Sequence, residues 1–175
     1  MATQSVPLTT QYFLSRAARI ALEEPIAVVE KLDSDALYYI PHPTGNTIGW
    51  LAWHVFRTAD LQVSWIAGAT DVWGAQGLAA SWPGCPAEGN GNGQSSNDAQ
   101  ALRVPSRDEL VIYGRAVIGR AVDVIEGLDD AALSRPTRGF GPNEQPAMAA
   151  IIALVVAHTA RHQGEILMAR ALHNQ

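Results

Sequence analysis

Apolar residues recur every three to four positions along four stretches of the chain, the period of amphipathic helices. The first stretch covers residues 10–32. Thr9 stands where an N-cap is needed, Leu8 could staple onto Phe13 across it, and Pro25 should kink or split the helix. The second covers 47–67, with Asn46 as N-cap and Gly68 as its stop. The third covers 107–126, where Ser106-Arg107-Asp108-Glu109 forms a capping box behind Pro105 and Gly127 ends the run. The fourth covers 146–172, with Pro146 in the first turn, where a missing N–H costs nothing.

No strand pattern competes, because alternating apolar and polar runs are absent and the Asn-Gly steps within 90–93 lack strand-like flanks. Residues 84–100 are rich in Gly, Asn, Ser and Gln and read as a mobile loop. They belong to a longer connection, 69–105, that also carries Trp73, Trp82 and Cys85. A connection of that length is either functional or a crossover between distant helices. The expected fold is therefore an all-α four-helix bundle without a sheet, one domain over 1–175, with a long crossover between the second and third helices.

Composition narrows the classes of function. A chain of 175 residues has room for one domain of normal size, and 47% hydrophobic against 17% charged residues is a globular balance. A net charge of −5 argues against bulk neutralisation of phosphates, so no nucleic-acid partner is expected. The lone Cys85 excludes an intramolecular disulfide and a four-cysteine zinc site. The N-terminus lacks the basic and apolar regions of a signal peptide, and no apolar run reaches the roughly 18 residues of a membrane span. A soluble cytoplasmic protein is the expectation. Five tryptophans and a wide apolar arc on the second helix are generous for one small core, which points to a homodimer.

The candidate chemistry lies in the histidines. His158 and His162 are four residues apart and share a helical face. Counting in threes and fours gives Ile151, Val155, His158, His162, Glu165, Ala169 and Leu172, so the pair is set into the apolar stripe. On the second helix the count Thr47, Leu51, His54, Thr58, Leu61, Trp65 puts His54 on or beside a buried face. His54 is eight residues past Asn46, about 12 Å along the axis, and His162 is ten before Leu172, about 15 Å. If the two helices run antiparallel, the three rings meet at one level. Three neutral imidazoles converging inside a bundle suit a divalent metal with positions left open, whereas unpaired imidazoles in a core are costly. Imidazole accepts Zn, Ni, Fe or Cu, so the donor set does not choose the ion.

Asn46-Thr47-Ile48-Gly49-Trp50-Leu51-Ala52-Trp53-His54 and His158-Thr159-Ala160-Arg161-His162-Gln163-Gly164-Glu165-Ile166 resemble the DinB-like four-helix proteins. That group includes metal-dependent thiol S-transferases. The resemblance covers nearly the whole chain and implies an up-down-down-up bundle with His54, His158 and His162 as metal ligands. It also implies a low-molecular-weight thiol as cosubstrate. The 84–100 stretch departs from the family pattern.

Around these residues, Glu165 is either an acceptor fixing a ligand tautomer, a general base, or a glutamate paired at the end of the stripe. Arg57 and Arg161 each lie three residues from a candidate ligand and could hold a carboxylate-bearing cosubstrate, or simply be solvated. Trp50 and Trp53 read as core, Tyr12 as a weak candidate proton donor, and Cys85 as a bystander thiol. His42 and His173 read as solvated. No G-x-S-x-G, P-loop or H-E-x-x-H occurs, and the Gly89-x-Gly91-x-Gly93 run follows no strand. Three functions stay open: an enzyme acting on a small-molecule substrate by thiol transfer or hydrolysis, a non-catalytic metal- or ligand-binding stress protein, and a structural bundle.

Overall fold

A computed structural model describes residues 8–174. Four long helical stretches form the body: α1 (Thr10–Val29), α3 (Ile48–Ala67), α7 (Arg107–Glu126), and a last one made of α9 (Ala147–Ala150), a π-helical segment (Ile151–Ala157) and α10 (His158–His173). Short helices fill the connections: α2 (Ser34–Leu37), α4 (Val72–Ala75), α5 (Leu78–Ser81), α6 (Ser96–Ala101) and α8 (Asp130–Ser134). Helix α1 packs most extensively on α7, α7 also packs on α3, and the last helical stretch packs on both α1 and α3.

The capping chemistry explains most boundaries. Thr9 accepts a hydrogen bond from the Tyr12 amide and opens α1, while Leu8 and Phe13 both stay exposed, so the expected staple buries little. Helix α1 runs through Pro25 unbroken and ends at Val29, short of residue 32. The N-cap of α3 is Thr47, not Asn46: its hydroxyl accepts from the Trp50 amide at 3.1 Å. Gly68 closes α3 in the left-handed region at φ 62°, as the sequence suggests. At Ser106 the hydroxyl both accepts from the Glu109 amide and donates to its carboxylate.

Helix α3 is the axis of the protein, with sixteen of its twenty residues buried, so partners surround it on all sides. The crossover supplies one of those partners. Trp73 and Trp82 leave the loop, enter the core and stack edge-on against each other and against Tyr113 of α7, with ring centroids 5.3–5.8 Å apart. Trp50 and Trp53 are buried as well. Four of the five tryptophans are thus used within one chain, and they no longer bear on the expected homodimer.

Two expectations need correction. Pro136–Thr137 and Gln145–Pro146 form a two-residue antiparallel ladder, so a minimal sheet exists where none was expected. Its strands are too short to show alternation in sequence. The 84–100 stretch is anchored rather than free: Asn90 is buried, and Gly89, Gly91 and Gly93 take positive φ to turn the backbone onto α3. No described helix is long and apolar enough to cross a membrane.

Candidate metal centre

Helix α3 brings His54 and the start of α10 brings His158 and His162 to one place. Their ring centroids lie 4.5–5.1 Å apart, and one nitrogen from each lies within 4.8 Å of the other two. The π-helical segment ends at Ala157, directly before His158, and so sets the angular position of the pair about the helix axis.

Two of the three rings are held from behind, while His158 Nδ1 is buried with no hydrogen-bond partner among the described residues. His54 is 5% exposed and its Nδ1 lies 2.5 Å from the Asn90 carbonyl oxygen. A carbonyl only accepts, so Nδ1 carries the proton and Nε2 presents its lone pair. His162 Nδ1 lies 3.1 Å from Glu165 Oε2, the carboxylate–histidine pairing that orients metal ligands. Trp50 stacks on His54 at 4.5 Å and 11° between planes. Burial lowers the His54 pKa to about 4 and, with repulsion from His162 and His54, the His158 pKa to about 3, so both rings are neutral at pH 7.

This geometry fits a divalent cation. His54 Nε2 and His158 Nε2 face each other at 3.1 Å; without an ion, His158 can bridge that gap only by carrying its proton on Nε2, which leaves its buried and unpartnered Nδ1 as a bare acceptor. In a tetrahedral zinc site with bonds of about 2.0–2.1 Å, ligand nitrogens stand about 3.3 Å apart. The centre opens onto a groove of about 430 Å³ lined by Thr44, Asn46, Asn92, Gln94 and Arg161.

The remaining candidate residues separate clearly. Glu165 is exposed and lies at His162, in the tautomer-fixing position. Arg161 lies at the groove, and no ion pair involves it among the described residues. Arg57 is neither in the groove nor solvated. It is 2% exposed and donates to Asp60, Asp71, Tyr113 and the Gly89 carbonyl. Tyr12 is not among the groove residues. His42 is exposed, whereas His173 is half-buried against Tyr39. Cys85 is 8% exposed and burial pushes its thiol pKa up to about 12, which suits a bystander.

Sequence reasoning missed Asn90, Thr58, Asp60 and Tyr113. The Arg57-x-x-Asp60 spacing on an otherwise apolar helix was the one legible signal of the buried network.

Fold and site together define a helical bundle with a candidate three-histidine metal centre where α3 meets α10. The family model of the DinB superfamily matches residues 19–166, most of the chain, and the chain belongs to that superfamily. It is also similar to the crystal structure of a conserved protein from Enterococcus faecalis, with a TM-score of 0.83 and 17% identity over 95% of this chain and 98% of that one. At that identity the likeness shows the fold alone. Comparison with curated proteins gives no match.

Proposed function

We propose that this protein is a metal-dependent transferase that adds a low-molecular-weight thiol to a small electrophilic substrate. The observation that supports it is the convergence of three imidazoles, two of them oriented by hydrogen bonds, beside an open groove. A divalent ion held there, Zn, Ni or Fe, supplies positive charge that lowers the pKa of a nearby thiol or water.

The chain's own residues divide the remaining work. Asn90 and Glu165 hold the rings of His54 and His162 so that their free nitrogens face inward. Arg161 offers a guanidinium to a carboxylate on the cosubstrate, a charge-assisted contact that fixes its direction of entry. Asn46, Asn92 and Gln94 offer further hydrogen-bonding groups, which suits a polar cosubstrate better than a purely apolar one.

The test begins with metal content by mass spectrometry for wild type and His158→Ala. Wild type should carry about one ion per chain, and the variant should lose both the ion and the metal-dependent rise in Tm. Turnover of an electrophile panel only with added low-molecular-weight thiol supports transfer. Turnover without thiol makes the protein a hydrolase, and bound metal with no turnover makes it a binding protein. If His158→Ala keeps stoichiometric metal at wild-type stability, the centre lies elsewhere.

A further inference from the structure

The crossover loop does more than cover the bundle. Asn90 sits between Gly89 and Gly91, whose φ angles of 72° and 82° turn the backbone so that the Asn90 carbonyl meets His54 Nδ1. The Asn90 side chain then reaches back to the same helix. Its amide Nδ2 donates to Thr58 Oγ1 at 2.8 Å, and the Thr58 hydroxyl donates to the His54 carbonyl at 2.7 Å. The chain of bonds leaves His54 by its ring and returns to His54 by its backbone. All three residues are buried, with exposures of 5% for His54, 1% for Thr58 and 5% for Asn90.

One further bond braces the loop internally and two hold it against α3. The Asn92 amide donates to Asn90 Oδ1 at 3.1 Å, Arg57 Nε donates to the Gly89 carbonyl at 3.2 Å, and Trp50 Nε1 donates to Gln94 Oε1 at 2.8 Å. Gly91 closes the gap: a Cβ there would come within 2.9 Å of the Trp53 ring. Four side chains of α3, at positions 50, 54, 57 and 58, therefore grip residues 89–94.

We propose that Asn90 and Thr58 are positioning residues of the metal centre, and that the crossover loop is the device that fixes the tautomer and ring angle of His54. The inference rests on the metal-binding reading above. The carbonyl is the orienting group, and because it is backbone, the side chains that aim it are what a substitution can reach. Outer partners of this kind change metal affinity by about 10–100-fold when removed. Arg57 joins in at one remove, through Gly89.

The experiment measures Zn²⁺ affinity by competition with a chromophoric chelator for wild type, Asn90→Ala, Thr58→Val and Thr58→Ser. Nitrogen-15 NMR of the histidine rings reports the tautomer of His54 in each zinc-loaded protein, and a thermal melt in excess EDTA reports metal-free stability. Asn90→Ala and Thr58→Val should weaken Zn²⁺ about 10–100-fold and broaden or shift the His54 ring signals. Thr58→Ser, which restores the hydroxyl, should bind within threefold of wild type. Gln94→Ala loosens the loop from its partly exposed end, and should weaken Zn²⁺ in the same direction should the buried variants fail to fold. If Asn90→Ala or Thr58→Val folds and keeps wild-type affinity and the wild-type His54 tautomer, the positioning role is wrong while the metal centre stands. If both fail to fold, wild-type affinity in Gln94→Ala counts equally against it. A wild-type chain that binds no Zn²⁺, Ni²⁺ or Fe²⁺ overturns the metal reading, and this role with it.

Discussion

Asp60 accepts four hydrogen bonds in the core, and Asp60→Asn tests whether its network holds the crossover to the bundle. Its Oδ1 accepts from the Val72 amide at 2.8 Å, and its Oδ2 accepts from the Trp73 amide, the Tyr113 hydroxyl and Arg57 at 2.9–3.1 Å. Asparagine keeps the shape but has one acceptor oxygen. If that oxygen takes the Oδ2 position, the new NH₂ faces the Val72 N–H, leaving a buried donor unmet at about 1–3 kcal/mol. The three remaining bonds lose charge assistance, roughly 1 kcal/mol each. Burial holds the Asp60 carboxyl above its ordinary pKa, so removing the charge recovers part of the desolvation cost. A net loss of about 3 kcal/mol follows, at the low end for breaking a buried ion pair. For 175 residues the unfolding entropy near Tm is about 0.37 kcal/mol/K, so Tm should fall by about 8 °C. Calorimetry of the metal-free protein measures it, with Glu23→Gln in the exposed Arg19–Glu23 pair as a control shifting Tm by under 2 °C. If Asp60→Asn also shifts Tm by under 2 °C, the reasoning about this network fails.

Gly114→Ala in α7 should destabilise by about 1–2 kcal/mol despite alanine's better helix propensity, because the new Cβ would come within 2.7 Å of the buried Phe56 ring; a urea midpoint at or above wild type would contradict this. Cys85 should resist a disulfide-exchange reagent at pH 7.5 in the native state and react at once in denaturant, since its pKa of about 12 leaves almost no thiolate. Metal-free protein should lose stability as pH falls from about 6.5 towards 4. In that window the unfolded chain binds protons at positions 54 and 158 that the folded chain, with pKa values of about 4 and about 3, refuses. Denaturant midpoints at pH 7.5, 6 and 5 check the sign, and His158→Gln should flatten the slope.

The long helices were legible because their ends carry local chemistry: Thr9, Ser106 and Gly68 act as their residue types suggest. The three histidines were legible because depth along a helix is a matter of counting. The cap of α3 was misread by one residue because Asn46 and Thr47 are both good capping residues. Its register was ambiguous because a helix buried on every side shows no preferred stripe. What sequence could not show is the crossover. Asn90 reaches His54 across 36 positions, a contact set by three glycine turns and by where two tryptophans anchor the chain. The Arg57-x-x-Asp60 spacing hinted at a buried pair, but the second carboxylate, Asp71, comes from the crossover and could not be placed beside Arg57 from sequence. The π-helical segment gave no signal either, since an apolar run such as Ile151–Ala157 reads equally well as an ordinary helix.

That segment has an evolutionary consequence. A π-helical stretch is an α-helix carrying surplus residues, so it preserves the trace of an insertion. Loss of a single codon between positions 151 and 157 would remove the surplus and let the stretch relax into an ordinary α-helix, with the faces on either side keeping their relative directions. The apolar side chains upstream and the two histidines downstream would hold their places. The same loss inside α10, between His158 and His162, has no surplus to absorb it and would turn the helix beyond by about 100°, carrying His162 away from His54. Tolerance to a change of chain length is therefore concentrated just before the centre and lost inside it.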